Sequence, residues 1–399
     1  MGFVKDFFNE TCLNDNISIV LKKILIAPNA FKHSLSSIEV AEIIASTLKS
    51  LDKKLIYKIA PIADGGDGTI DVIKHYFKDS KFIYCTVHDP LMRKIKSKWL
   101  LLDKNTAVIE LSKASGLALL EENELNPLKT NTYGTGELIK HALDKGCKKI
   151  IITLGGSATV DGGLGILCAL GVKLFDKNNV KLKPCGKALN QIVRLDLSNI
   201  DKRIYKTKIY VLCDVKNILI GPSGTKNFSK QKGASPKDQL LLERGMKSYL
   251  KLVRSYGEKD YSNLPMVGAA GGVAFSLKAI LKGELFLGFQ FLENLVKLNK
   301  MIKTSDVVIT GEGRLDSQTF MGKGVCELIK SIRKINKKTK IIVLCGDYEK
   351  NINRKAKDID FLIKIKPEKM SKDKAIKKAK KLLKATIKQI YVKKLNHWT

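Results

Sequence analysis

Three short polar stretches carry the residues most able to do chemistry, and each follows an apolar run that reads as a strand. Asn29, Lys32 and Ser34 follow the run 22–27, Asp64 and Asp67 follow 55–60, and Glu312, Arg314 and Asp316 follow 306–310. A fourth stretch, Cys345-Gly346-Asp347, follows 340–344. Glycines among them let the backbone approach a ligand closely. Cations beside several carboxylates in a glycine-lined mouth suit a magnesium-nucleotide and a small acid. Phosphoryl transfer asks for a metal, positive donors and a positioned hydroxyl more than for covalent chemistry. One such stretch alone would read as a strand-end turn, because Asp and Gly are common turn formers. Three in one sheet point to a ligand, which in open parallel sheets binds outside the carboxyl ends of the strands.

Roles follow from residue type. A substrate hydroxyl must lose its proton as the phosphoryl group arrives, so a carboxylate just past a strand end is the expected base, and Asp64 and Asp316 are the candidates. Asp67 and Glu312 are expected to hold magnesium, which prefers carboxylate oxygens and keeps several waters. Lys32 is placed with the catalytic groups, neutralising phosphate. Arg314, with its planar fork, is expected to take a substrate carboxylate, with Asn29 and Ser34 beside it. A second candidate follows the strand 149–154: Gly155, Gly156, Ser157, Thr159 and Asp161 could form a nest of N–H groups and hydroxyls for nucleotide phosphates. Close helix–strand packing is the other use of those glycines. No Walker A motif occurs, Gly134-Thr135-Gly136 is only a fragment of a dinucleotide fingerprint, and there is no G-x-S-x-G elbow.

The elements that must position these groups alternate. Strand 22–27 leads to a helix announced by the capping-box spacing Ser36/Glu39, and strand 55–60 leads to another helix after Thr69. From about Asp89 the rhythm changes to short alternating runs, 99–102 and 107–111, that suggest antiparallel pairing. A helix near 135–143 stops at Gly146, and strands follow at 149–154 and 208–213, with a long charged helix after Pro236. After about Leu298 the first style returns. The pattern predicts two α/β domains: a Rossmann-like parallel-sheet domain built from both chain ends (22–90 and 297–399), and a mixed α/β domain inserted between them (91–296). Residues 1–21 form an extension without periodicity.

Composition narrows the class. The 399 residues are 44% hydrophobic and 28% charged, which excludes wholesale disorder. No run approaches the ~20 apolar residues of a membrane span, and the first twenty residues do not read as a secretory signal. Eight scattered cysteines without a C-x-x-C pair suggest reduced thiols in the cytoplasm. The net charge is +33, with 17 basic and 4 acidic residues from Lys350 onward. Ile376, Ala379, Leu382, Leu383, Ile387 and Ile390 recur there at helical spacing, predicting a docked amphipathic helix whose lysines face outward and take no part in catalysis. No nucleic-acid motif accompanies the charge, so a nucleic-acid partner is not expected.

The motifs also carry a resemblance. A-P-N-A-F-K-x-S-L-S (27–36), P-I-A-D-G-G-D-G-T (61–69), D-P-L-M-R (89–93), Y-G-T-G-E-L-I (133–139), L-G-G-S-A-T-V-D-G-G (154–163), C-D-V-x-N (213–217), Q-K-G-A (231–234), G-A-A-G-G (268–272) and T-G-E-G-R-L-D-x-Q-T-x-x-G-K (310–323) occur in an order that resembles the bacterial glycerate kinase family. The resemblance spans about residues 22–350. It implies phosphorylation of D-glycerate, to 2-phosphoglycerate, with ATP and Mg2+ as cofactors, on two α/β domains with one inserted in the other. His33 stands where the family usually has a small residue, commonly glycine, and 227–230 lacks the Gly-Pro expected before Gln231. A kinase of another small hydroxy acid, or a non-catalytic anion- or nucleic-acid-binding protein on the same fold, are the alternatives. The oligomeric state is left open, a homodimer included.

Overall fold

The computed structural model describes residues 23–222, 224–315, 324–349 and 357–395. Five strands, β1 (Ile24–Ile26), β2 (Tyr57–Ile59), β12 (Val307–Leu315), β13 (Lys340–Tyr348) and β14 (Phe361–Lys364), form an all-parallel sheet in the order β14-β13-β12-β1-β2. The uninterrupted apolar runs of β1, β12 and β13 follow from burial on both faces. Ile24, Ile26, Val307, Ile309, Ile342 and Leu344 point into one core with the helix Ser37–Leu51. Leu25, Val308, Ile341 and Val343 point into a second core with the helices Leu298–Lys303 and Gly324–Ile335. The sheet is therefore the middle of three layers, as the α/β rhythm requires.

The middle of the chain builds a six-stranded mixed sheet from β3 (Lys81–His88), β4 (Lys94–Asp103), β5 (Thr106–Glu110), β6 (Lys149–Thr153), β10 (Lys208–Cys213) and β11 (Glu284–Leu287). Its order is β11-β10-β6-β5-β4-β3, parallel from β11 to β5 and antiparallel across β5-β4-β3. A small antiparallel sheet, β8-β7-β9, is made by β7 (Lys173–Phe175), β8 (Lys181–Leu182) and β9 (Arg194–Asp196). The expected α/β class, a parallel sheet from the chain ends and a mixed sheet from the middle, is what forms.

Two differences bear on the site. Strand β3, which the pattern does not announce, pairs with β4 along its whole length, so membership of the six-stranded sheet begins at Lys81, before the expected change at 90/91. Strands β12 and β13 also run on past their apolar runs. Glu312 pairs with Cys345 and Arg314 with Asp347, so the stretch expected to be loop is paired strand that aims its side chains by the sheet register. Gly311 permits this, because a Cβ there would collide with the Leu344 carbonyl oxygen of the neighbouring strand.

Capping agrees with sequence. Glu39 N–H donates to Ser36 Oγ at 3.2 Å and Ser36 N–H returns to Glu39 Oε2 at 2.8 Å. Ser235 and Asp238 form the same box at the start of Pro236–Ser255. No helix among the described residues is long and apolar enough to cross a membrane. The predicted C-terminal helix is two helices, Lys372–Lys377 and Ala379–Ile390, and the second docks on Ser37–Leu51 through Leu383, Ile387 and Ile390. Leu383 is fully buried and Lys384 exposed. Leu383→Ala is expected to destabilise the fold by about 2–5 kcal/mol and Lys384→Ala by no more than about 0.5, as read from urea unfolding.

Candidate active site

At the carboxyl edge of the five-stranded sheet lies a cavity of about 380 Å³. Lys32, Ser34, Asp64, Glu312 and Arg314, all singled out by sequence, line it together with Asp347. They arrive from four strands, β1, β2, β12 and β13. After β1 the chain is held by Asn29 N–H donating to the Gly311 carbonyl at 2.8 Å, and Ser34 Oγ–H donates to the Phe31 carbonyl at 2.8 Å, closing a tight turn ahead of the Ser36 cap. After β2, Ile62 N–H donates to the Pro28 carbonyl at 3.0 Å, setting Asp64 beside that turn. Asp64 is oriented by the Gly66 N–H, which donates to Oδ1 at 3.2 Å, and by the Asn29 amide, which approaches Oδ2 at 3.5 Å. Asn29 thus positions Asp64 and is not among the cavity-lining residues. His33 holds φ +65°, in the left-handed region where glycine is at no disadvantage, and this explains the family's small residue there.

Asp316 lies outside the described residues. Asp67 is exposed but does not line the cavity: it sits against Gly156, where a Cβ would come within 2.7 Å of its Oδ2. The structure therefore does not bring Asp67 and Glu312 together as a magnesium pair. Glu312 shares the cavity with Asp64 instead. Among the described residues there is no group of three or more His, Cys, Asp or Glu side chains able to hold a metal. Two carboxylates are still a fitting donor set for magnesium, which takes one or two from protein and the rest from phosphates and water.

In the stretch Gly155–Gly163 the polar side chains turn inward. Ser157, Thr159 and Asp161 are buried. Asp161 accepts from Thr132 N–H and Oγ1–H at 2.8 Å each, and from Gly163 and Gly165 N–H at 3.1 Å each, so its carboxylate is spent inside the fold. Ser157 Oγ and Thr159 Oγ1 lie 3.0 Å apart, and Lys232 Nζ donates to Ser157 Oγ at 3.3 Å and to the Thr159 carbonyl at 2.7 Å. These hydroxyls face a buried lysine. Gly155 and Gly156 serve close packing, since a Cβ on Gly155 would strike Gly66 Cα.

Two buried charges escaped the sequence reading. Glu110, at the end of β5, accepts from Gly68 N–H at 2.6 Å, from Ile70 N–H at 3.4 Å and from Ser112 Oγ–H at 3.3 Å. It caps the helix Thr69–Tyr76, whose own N-cap residue Gly68 has no side chain to do so. Burial pushes its carboxyl up to about 7. The available signal was a lone carboxylate ending the run T-A-V-I-E. Lys232 stands in Q-K-G-A, which drew notice only as part of the resemblance.

Burial lowers Lys232 to about 8, although Asp161 and Asp214 favour its charged form. Between pH 8 and 10.5 the unfolded chain holds a proton that the folded chain has released, so stability rises with pH across that window. The drop from 10.5, at 1.36 kcal/mol for each pH unit, corresponds to roughly 3 kcal/mol. Wild type is therefore expected to gain stability relative to Lys232→Met from pH 8 to 10.5, measured by urea unfolding at each pH. A constant difference between the two would show that Lys232 folds with its charge unperturbed.

The comparisons with known proteins agree with this architecture. The profile of the glycerate kinase family matches residues 24–394. The chain is 37% identical over 374 residues to glycerate kinase of Bacillus cereus, covering 92% of this chain and 97% of that protein. It is 38% identical over 317 residues to glycerate 2-kinase of Escherichia coli, covering 78% and 83%. A crystal structure from Salmonella typhimurium LT2, described as a glycerate kinase 2, superposes with a TM-score of 0.78 at 33% identity, over 93% of this chain and 98% of that one. With its three-layer parallel sheet, its companion mixed sheet and the motifs at their edges, the chain belongs to the glycerate kinase family.

Proposed function

We propose that this chain is an ATP-dependent kinase that phosphorylates D-glycerate to 2-phosphoglycerate in the cavity at the edge of the five-stranded sheet. The observation that carries the reading is the meeting of Lys32, Asp64, Glu312 and Arg314, from three strand ends, in one cavity on a chain of this family. The name of the E. coli relative, glycerate 2-kinase, supports the 2-position. Its scattered cysteines, which are free in the described part of the chain, support a cytoplasmic enzyme.

Each residue then has a task set by its chemistry. Arg314, exposed at the end of β12, offers two parallel N–H donors to the glycerate carboxylate. Asp64, held by Gly66 and Asn29, accepts the proton of the attacking hydroxyl as the bond to phosphorus forms. Lys32 places positive charge beside the transferred phosphoryl group, where negative charge spreads over its oxygens. Glu312, with Asp64 nearby, supplies carboxylate oxygen for Mg2+, which when bound neutralises charge on the nucleotide phosphates.

A coupled assay with ATP, magnesium and D-glycerate tests the activity, and phosphorus–proton NMR of the product locates the phosphate on the 2-carbon. Turnover with a different hydroxy acid and none with D-glycerate would overturn the substrate. Asp64→Asn is expected to lower kcat by about 10²–10⁴ while changing the KM for glycerate much less. Near-normal kcat for Asp64→Asn at saturating magnesium would remove Asp64 as the base, and Asp316→Asn would then be the variant to lose activity.

A further inference from the structure

We propose that the adenosine part of the nucleotide lies in the apolar arm of this cavity, against the two C-terminal helices, with its phosphates running toward Lys32. The proposal rests on the kinase reading above and assigns its nucleotide subsite. The cavity has more room than a three-carbon acid can fill, and its size falls within the range of small-molecule sites. Its lining is mixed. Beside the charged groups already described it includes the apolar Phe31, Ile365, Ala375, Ile376, Ala379 and Leu382.

The helical side is built in two registers. Leu383, Ile387 and Ile390 are buried in the core and dock the helix. Ala375, Ala379 and Leu382, spaced i, i+4, i+7, face the cavity with Ile376 and are only half-buried. That second stripe is not consumed in docking. Its small alanines between the larger Ile376 and Leu382, with Ile365 and Phe31 in the same lining, offer an apolar slot suited to a flat ring. Lys366 and Lys372 line the same cavity as Lys32 and Arg314, so the apolar residues share it with four cations. An apolar slot that opens onto a row of cations is complementary to a base joined to a polyphosphate. At the other place considered for phosphates, Ser157 and Thr159 are buried and bonded to Lys232. Lys372 lines the cavity, while the lysines beyond Lys374 are not among its lining residues.

The direct test is photolabelling of the full wild-type chain with 2-azido-ADP, followed by peptide mapping. Label within residues 365–382 is expected, and label within 155–163 would overturn the proposal. Calorimetry supplies a second measurement. Ala379→Phe, which fills the slot, should weaken ADP binding at least tenfold and leave binding of inorganic triphosphate within about threefold of wild type. Lys372→Glu, at an exposed position, should weaken ADP binding at least threefold without a change in melting temperature. ADP binding at wild-type strength in both variants would overturn the proposal, even with full glycerate kinase activity. Loss of ADP binding in the variants of a protein that does not phosphorylate D-glycerate would uphold the nucleotide subsite and reject the substrate reading.

Discussion

Residues 61–69 join the two sheets, and the geometry of the site depends on how that segment is gripped. It leaves the five-stranded sheet after β2 and is caught by the carboxyl edge of the other sheet. The Gly155 N–H donates to the Gly65 carbonyl at 3.1 Å, and Glu110 takes the N–H groups of Gly68 and Ile70. Gly288 closes the grip, since a Cβ there would collide with the Asp64 carbonyl oxygen. Backbone packed this closely against backbone tolerates no side chain, which accounts for glycine on both sides of the joint. Asp64 is held by one sheet and aimed at a cavity of the other.

The same joint explains why a carboxylate is buried at Glu110. A charge with no water around it persists only where several donors converge, and two N–H groups at a helix start together with a hydroxyl provide that. Lys232 shows the complementary arrangement. Its ammonium is buried against a carbonyl and a hydroxyl, with Asp161 and Asp214 near enough to favour its charge. Both buried charges brace the backbone around the Gly155 segment, and neither lines the cavity. The exposed cations Lys32 and Arg314 do the opposite: with the less exposed Asp64, Glu312 and Asp347 they line open space where a polar ligand can replace water.

The C-terminal segment joins these themes. Its helix docks by an ordinary apolar stripe, yet one turn earlier the same periodicity serves the cavity. A single amphipathic pattern thus has two burial states, complete against Ser37–Leu51 and partial over the cleft. The large positive charge of the chain has the same double character, with most lysines in solvent and a few at the cavity wall.

Much of this was legible in the linear sequence because it rests on local physics. Apolar runs ending in Asp and Gly located the parallel strands and the edge where ligands bind. The Ser36/Glu39 cap marked a helix start, and ordered motifs placed the chain in its family. Lys32, Asp64, Glu312 and Arg314 were found from residue type and strand-end position, and the fold brings them to one cavity. What sequence left open depends on pairing and on direction. Whether Ser157, Thr159 and Asp161 face a ligand or the interior is set by Lys232 and Thr132, which are distant in the chain. Whether 311–315 is loop or strand is set by β13 alongside it, and which carboxylates share a cavity is set by how two sheets meet. Spacing along a chain reports periodicity and caps, but the direction of a side chain past a strand end is fixed only by the neighbours that the tertiary fold supplies.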